Sequence, residues 1–221
     1  MNPRIKLINE TLRIDKLTIE LSRVDNVDEL YDSIIEKGEE HEDFKDEKIP
    51  YWAELWPSAI ALSHFLIEKE KIKPGEVVLE LGCGLGLAGL VAGKLGAEVV
   101  FTDFIPDALE LAKTNWDKNT FQAKASFEIL DWRNPNLHVR PDWIIAADVA
   151  YEERVLKPLI QTFSFYKKDL PKILITEPGR QMGALFLELL KKEGFHIKEN
   201  SMDITYRTIR TKVGIWELTW Q

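Results

Sequence analysis

The chain has 221 residues, 45% of them hydrophobic and 30% charged, a balance typical of one globular domain with a small addition. Its 29 basic and 37 acidic residues give a formal charge of −8, which disfavours nucleic-acid binding because such binding depends on neutralising phosphates. A single cysteine, Cys83, excludes an internal disulfide and a multi-thiolate metal site. The four histidines show no metal-binding spacing, so we predict no metal.

No apolar run approaches the roughly 20 residues that a membrane-spanning helix needs. The first residues, Met1 to Lys6, also lack the unbroken apolar segment of a secretory signal. We therefore expect a cytoplasmic protein without a membrane partner.

Residues 1–48 are predicted to form a small N-terminal α+β extension. Alternating apolar residues in the first 24 positions indicate two short strands and a turn. Asn26 and Glu29 resemble a capping box, which begins a short helix that ends near Lys37. The acidic, aperiodic stretch 38–48 indicates an exposed connector. This extension either recognises a substrate or only stabilises the domain.

Residues 49–221 alternate between strand and helix patterns, which is typical of a parallel sheet covered on both faces. The predicted strands are 77–81, 98–102, 126–130, 143–147, 172–176, 195–203 and 209–220. The predicted helices are 58–69, 86–95, 106–118, 152–167 and 180–192. The last two strands are joined by a short polar connection, which suits an antiparallel pair. The sequence thus predicts an α/β fold with a doubly wound, Rossmann-like, seven-stranded sheet, mostly parallel with an antiparallel C-terminal strand pair.

A glycine-rich loop directly follows the first strand of this domain. Gly82, Gly84 and Gly86 would let the backbone approach a ligand, although glycines also serve tight turns. Two acidic residues favour a ligand: Glu80 could meet an ammonium group, and Asp103 ends the next strand, where a carboxylate accepts hydrogen bonds from ribose hydroxyls. Glu80 and a first helical turn without Ser, Thr, Lys or Arg suit a pyrophosphate poorly. The pattern therefore favours S-adenosylmethionine over a dinucleotide.

The motifs of this region resemble those of a known family. The run Glu-Leu-Gly-Cys-Gly-Leu-Gly-Leu from Glu80 and the Phe-Thr-Asp that ends at Asp103 resemble motif I and the following motif of class I methyltransferases. Residues 49–220 are similar, more specifically, to the seven-β-strand protein-lysine methyltransferases with an Asp-x-x-Tyr/Phe motif. The motifs that support this resemblance are Trp52-Ala53-Glu54-Leu55-Trp56-Pro57, Asp131-Trp132 and Asp148-Val149-Ala150-Tyr151.

Within that family, the Pro-Tyr-Trp-Ala opening, the Asp-x-x-Tyr-Glu-Glu run and Pro178-Gly179-Arg180 resemble the enzymes that methylate the electron-transfer flavoprotein β subunit. The glycine loop differs from that branch and is nearer to relatives that methylate chaperones.

The resemblance implies S-adenosyl-L-methionine as cofactor and S-adenosyl-L-homocysteine as product. It assigns cofactor binding to Trp56, Glu80, Gly82, Cys83, Gly84, Gly86, Asp103, Phe104, Asp131, Trp132 and Ala147. In this assignment the glycine loop and Glu80 hold the amino-acid end of the cofactor. Phe104 stacks on adenine, and Asp131 reaches the adenine amino group.

Asp148 and Tyr151 are the predicted catalytic residues. An acceptor lysine must lose its proton, although its ordinary pKa is about 10.4. We expect Asp148 to hold the incoming ammonium group and Tyr151 to limit space and water around it. The alternative is that Asp148 only caps the following helix while Tyr151 packs in its first turn.

The predicted reaction is methyl transfer to the ε-amino group of a lysine in a protein partner. The alternatives are a nicotinamide-type small-molecule N- or O-methyltransferase, a nucleic-acid amine methyltransferase and a cofactor-binding module without catalysis. The nucleic-acid class carries a Pro-Pro-Tyr/Phe-like motif where this chain has Val149-Ala150-Tyr151. The acidic charge would attract both a lysine-bearing partner and a sulfonium cofactor. Oligomeric state stays open.

Overall fold

Alternating strands and helices form most of the chain in the computed structural model, which describes residues 4–36 and 50–220. The predicted connector 38–48 lies outside the described residues. The strands are β1 (Leu7–Ile14), β2 (Leu17–Val24), β3 (Val77–Leu81), β4 (Glu98–Asp103), β5 (Ala125–Ile129), β6 (Trp143–Ala147), β7 (Lys172–Glu177), β8 (Phe195–Tyr206) and β9 (Ile209–Trp220). The helices are α1 (Val27–Ile35), α2 (Pro57–Glu68), α3 (Leu87–Lys94), α4 (Pro106–Lys118), α5 (Glu153–Phe165) and α6 (Gln181–Lys192), with 3₁₀ turns at Pro50–Ala53 and Lys167–Asp169.

Strands β3 to β9 form one seven-stranded sheet in the order β5-β4-β3-β6-β7-β9-β8. The first five of these pair in parallel, whereas β9 runs antiparallel to both β7 and β8. The predicted α/β class and the antiparallel C-terminal pair are confirmed. The predicted end of β8 at residue 203 was three residues short, because the polar residues up to Tyr206 continue the ladder with β9.

The hydrophobic core lies on both faces of the sheet, as its nearly unbroken apolar strands require. In β6, Trp143 to Ala146 are buried, and two separate apolar clusters cover the two faces. No helix of the described residues is long and apolar enough to cross a bilayer.

The direction of chain winding reverses between β3 and β6. From β3 the chain moves outward to β4 and β5, and then returns to place β6 on the other side of β3. In open α/β sheets, a crevice for ligands opens at such a reversal, outside the carboxyl ends of the two strands. The residues that follow β3 and β6 are therefore the natural place to look for a site.

The hairpin of β1 and β2 packs beside the main sheet through a buried asparagine of α4. Asn115 accepts a hydrogen bond from the Ser22 N–H at 2.6 Å and donates to the Ser22 carbonyl at 3.0 Å. It also donates to the Leu85 carbonyl, in the glycine loop, at 2.9 Å. A second contact joins the hairpin turn to α2, where His64 Nδ1 lies 3.1 Å from Asp15. The hairpin is thus hydrogen-bonded to the glycine loop through one side chain.

Replacing Asn115 with alanine should lower the free energy of unfolding by about 2–3 kcal/mol, because buried backbone groups lose their partners. Urea denaturation measures the loss. Asn119→Ala is the matched control, since Asn119 bonds the Glu20 N–H and carbonyl in the same way at an exposed position. Equal losses in the two variants would contradict the role assigned to Asn115.

Candidate active site

A cavity of about 460 Å³ opens at the carboxyl ends of β3 and β6. It gathers twelve of the thirteen residues that the sequence singled out, and Gly86 is the exception. Those that line it are Trp56, Glu80, Gly82, Cys83, Gly84, Asp103, Phe104, Asp131, Trp132, Ala147, Asp148 and Tyr151.

The glycine loop presents bare backbone to this cavity. Gly82 and Gly84 have φ angles of 62° and 51°, which side-chain-bearing residues rarely adopt. A Cβ atom at Gly84 would lie 3.1 Å from the Trp52 carbonyl oxygen, so the Pro50–Ala53 turn packs directly on the loop. Gly86 differs because it is not among the residues that line the cavity, and a Cβ atom there would lie 3.1 Å from the Phe101 ring. Gly86 lies at the start of α3 and packs on β4, and its cofactor contact stays a prediction.

Glu80 brings a buried carboxylate to the floor of the cavity. Its Oε2 accepts a hydrogen bond from the Gly89 N–H at 3.1 Å, in the first turn of α3. Burial raises the pKa of Glu80 to about 8, with a further contribution from the nearby Asp103 carboxylate. A Cβ atom at position 89 would lie 2.4 Å from the Glu80 carboxylate oxygen. Only glycine therefore fits beside this carboxylate.

Asp103 ties the loop to the end of β4. Its carboxylate accepts hydrogen bonds from the Gly84 and Ile105 N–H groups, each at 3.0 Å. Burial raises the pKa of Asp103 above its ordinary value, and these two donors oppose the rise. The Cys83 thiol is buried beside it, and burial raises the pKa of that thiol, so it stays protonated and unreactive.

The far end of the cavity holds an arginine that sequence reasoning missed. Arg133 donates to both carboxylate oxygens of Asp131, at 2.8–3.0 Å, and this pairing lowers the pKa of Asp131. The same guanidinium lies 5.0 Å from the centre of the Phe104 ring. Asp131 and Phe104 both line the cavity, and the Arg133 guanidinium contacts both of them.

Asp148 follows β6 directly and has a φ of 58°, in the left-handed region. Its backbone N–H donates to the Thr176 carbonyl at 2.8 Å, and its carboxylate accepts from the Ser58 hydroxyl at 3.4 Å. Thr176 in turn donates to the Ser58 carbonyl at 2.9 Å. Three elements, β6, β7 and α2, therefore fix this carboxylate, and it does not cap α5, as one interpretation of the sequence held.

Arg180 is the cationic partner of Asp148. The two side chains form an ion pair, and the Arg180 guanidinium lies 5.5 Å from the centre of the Trp56 ring. The backbone of Arg180 is held by Glu177, whose buried carboxylate accepts from the Gly179 and Arg180 N–H groups at 2.7 Å. Burial raises the pKa of Asp148, although the Arg180 guanidinium opposes this. Arg180, in the turn after β7, thus forms part of the cavity wall.

Three aromatic side chains border the same end of the cavity, and we call Tyr51, Trp56 and Tyr151 the aromatic rim. The Tyr51 ring centre lies 5.2 Å from that of Tyr151 and 6.3 Å from that of Trp56. Burial raises the pKa of Tyr151 far above its ordinary value, so its hydroxyl stays protonated. Faces of aromatic rings attract cations, which the Arg180–Trp56 contact already illustrates.

Sequence reasoning did not assign site roles to Tyr51, Arg133 and Arg180, which line the cavity, or to Ser58, which donates a hydrogen bond to Asp148. Tyr51 stood inside the aromatic stretch before α2 and could have been found there. Ser58 had no signal, because a serine after a helix-initiating proline is common in helix starts.

The fold places the chain in a class of proteins. It is similar to the magnesium protoporphyrin IX methyltransferase of Synechocystis solved with bound SAM, with a TM-score of 0.59, 17% identity and coverage of 89% of this chain and 92% of that one. It is also similar to the ribosomal protein L11 methylase of Lactobacillus delbrueckii, with a TM-score of 0.53, 19% identity and coverage of 72% and 77%. The chain therefore has the class I methyltransferase fold.

A family model described as lysine methyltransferase matches residues 42–193, and the chain belongs to this family. The protein N-lysine methyltransferase METTL21A of Danio rerio is 38% identical over 173 residues, 72% of this chain and 78% of the relative. The electron transfer flavoprotein beta subunit lysine methyltransferase of Xenopus laevis is 34% identical over 137 residues, 59% of this chain and 53% of the relative. The chain spans about half the length of the first curated relatives it matches.

Glu80→Gln should flatten the pH dependence of stability. The folded pKa of about 8 exceeds the ordinary value, so the unfolded state releases this proton first and wild-type stability falls as pH rises toward 8. The difference in slope should reach up to about 1.4 kcal/mol per pH unit, as urea denaturation between about pH 5 and pH 8 would measure. If the free energies of unfolding of the two proteins changed with pH in parallel, the pKa of Glu80 would not be raised in the folded protein.

Proposed function

We propose that this protein is an S-adenosylmethionine-dependent methyltransferase whose acceptor is the ε-amino group of a lysine in a protein partner. The observation that carries the proposal is a buried carboxylate, Asp148, fixed beside the glycine loop with an aromatic face next to it. Membership of the lysine methyltransferase family and relatives named for protein-lysine methylation support it.

The residues on one side of the cavity fit this cofactor. Gly82 and Gly84 line the cavity without side chains, so a ligand could approach their backbone closely, and Glu80 would offer a carboxylate to a cationic amino-acid end. Each oxygen of Asp103 accepts one backbone hydrogen bond and keeps acceptor capacity for hydroxyl groups. We assign these four residues to the amino-acid and ribose parts, and Phe104, Asp131 and Trp132 to the base.

The chemistry that the bound cofactor supplies is a methyl group on a sulfonium, which an amine lone pair can displace in line. The protein must orient the amine, remove its water and let its proton leave. Asp148 would hold the ammonium form and then accept or relay its proton. The aromatic rim would exclude water from the amine. Because the Tyr151 hydroxyl stays protonated, it would carry no negative charge that draws the ammonium group away from Asp148.

Charge in the cavity also favours a cationic acceptor. Of the described residues that line it, five carry carboxylates (Glu54, Glu80, Asp103, Asp131, Asp148) and three carry guanidinium groups (Arg133, Arg154, Arg180). Because free Glu80 holds its proton at neutral pH, the remaining four carboxylates exceed the guanidinium groups by one, and this excess would attract a cationic cofactor and a cationic side chain. It would repel a nucleic-acid backbone, the acceptor of one alternative class.

The discriminating experiment is incubation of the protein with methyl-labelled S-adenosylmethionine and a fractionated lysate. We expect label in protein, on lysine after acid hydrolysis. Label in the small-molecule pool or in nucleic acid would identify an alternative acceptor class. Binding of the cofactor with no label transfer to any fraction would indicate a module without catalysis.

Cofactor affinity should rise with pH between about pH 6 and pH 7.5, by up to about tenfold per unit. Free Glu80 holds a proton below its pKa of about 8, and a cationic ligand requires that proton to leave. Calorimetry in two buffers of different ionisation enthalpy measures both the affinity and the released proton. Glu80→Gln should bind weakly at every pH and release no proton. A wild-type affinity that does not change over this range would contradict the assignment.

Asp148→Asn should lower the turnover of acceptor methylation roughly 100-fold or more, while the cofactor dissociation constant changes little. Asparagine tolerates the left-handed backbone at this position, so the variant tests the charge without backbone strain. Asp142→Asn is the matched control at the amino end of the same strand, where the carboxylate accepts only from the backbone N–H of Val77 among the hydrogen bonds described. Full turnover in the Asp148 variant would refute its catalytic role.

A further inference from the structure

The Asp148 carboxylate and the neighbouring face of Trp56 form one cation site, and the chain fills it with its own side chain. The Arg180 guanidinium pairs with the carboxylate and lies against the indole ring. In the proposed function, this is also where an acceptor ammonium group would have to go. Arg180 occupies Asp148 Oδ1 and the Ser58 hydroxyl occupies Oδ2, so an ammonium group could not take the place of the guanidinium while Arg180 remains there.

We propose that Arg180 is a specificity-determining residue, an internal competitor that an acceptor must displace from Asp148 before methyl transfer. The inference rests on the proposed function. It differs from a positioning role, in which Arg180 would stay on Asp148 throughout the reaction and help it bind the acceptor.

Burial supports displacement of the arginine and not of the aspartate. The Arg180 side chain is 37% exposed, whereas that of Asp148 is 4% exposed. Asp148 is further fixed by Ser58 and by the backbone of β7, while the Arg180 guanidinium contacts, among residues 4–36 and 50–220, only Asp148 and the Trp56 face. The guanidinium can therefore leave, and the carboxylate stays.

The structure also provides a place for the displaced side chain. A second cavity of about 440 Å³, between the turn after β7, α6 and β9, shares Arg180 with the first. Glu177 holds the backbone at Gly179 and Arg180 through their two N–H groups, so the proposed displacement would be a rotation of the Arg180 side chain toward the second cavity. A fixed backbone and a partly exposed side chain suit a residue with two positions.

Competition of this kind makes the acceptor selective. A neutral side chain cannot replace a guanidinium on a buried carboxylate, because it would leave that charge without a partner. A cationic side chain can replace the guanidinium. Its apparent affinity is lower than its intrinsic affinity, because only the fraction of molecules in which Arg180 has left Asp148 can bind it. Arg180 would thus reject neutral acceptors and weaken the binding of cationic ones.

The test uses n-butylammonium chloride as a probe for the lysine side chain, with the full chain at about pH 8 and without cofactor. Arg180→Ala and Arg180→Gln should each bind the probe at least about tenfold more tightly than the wild type, and gain more thermal stability from it. The double variant Arg180→Ala/Asp148→Asn should lose this gain. The neutral probe 1-butanol should bind no variant more tightly than the wild type.

Arg154→Ala is the matched control, since it removes a guanidinium from the same cavity, where Arg154 pairs with Glu152 at 2.8 Å. It should bind the probe as the wild type does. An equal gain in probe affinity for this control would mean that the effect comes only from the change in net charge, and it would overturn the proposal. Unchanged or weaker probe binding by both Arg180 variants would overturn it too.

A kinetic measurement separates this inference from the proposed function. Once a protein that accepts the methyl group has been identified, Arg180→Ala should lower the KM for that acceptor by about tenfold and leave the KM for the cofactor unchanged. A higher acceptor KM would indicate a positioning role and refute the competitor. Absence of transfer by the wild type would refute the proposed function alone, because probe binding requires no methyl transfer.

Discussion

Burial of carboxylates at the ends of parallel strands is the constraint on which the rest of this site depends. Removing a carboxylate from water costs several kcal/mol unless donors or a cation replace the water. Glu80 is compensated by a backbone N–H of α3, Asp103 by two N–H groups, and Asp148 by a guanidinium. The glycines, the tight loop and the turn after β7 are the means by which the backbone and Arg180 reach these three groups.

Each compensation is incomplete in a way that suits ligand binding. The pKa of Glu80 stays raised, so its negative charge appears only when a cation arrives or the pH rises. Asp148 keeps its charge partner only through a half-exposed side chain. A cationic ligand would favour the ionised form of Glu80 and could replace the guanidinium on Asp148.

Much of the fold could be predicted because it follows from local patterns. Short apolar runs and helical periodicity identified every strand of the main sheet, and acidic residues at strand ends marked the site, since parallel strands bring those ends to one edge. Gly86 shows the limit of this reasoning. The spacing of a glycine run does not reveal which glycine lines the cavity and which packs on β4, because that depends on side chains such as Phe101.

Contacts between distant segments were beyond prediction for a different reason. The Asp148–Arg180 pair joins residues 32 positions apart, and the Asn115–Ser22 bonds join residues 93 apart. Both follow from which strands become neighbours and how α4 and α6 are placed, and no local pattern encodes that. Arg133 was missed since a surface arginine two residues from an aspartate looks like an ordinary exposed pair.

The hydrogen bond from Asn115 to Leu85 has a practical consequence for anyone who shortens this protein. The segment that the family model matches, 42–193, omits the β1–β2 hairpin and both C-terminal strands. Without the hairpin, Asn115 would lose two of its hydrogen-bond partners beside the glycine loop, and without β9 the edge of β7 next to Glu177 would be unpaired. The smallest fragment worth expressing is therefore larger than the region by which the family is recognised.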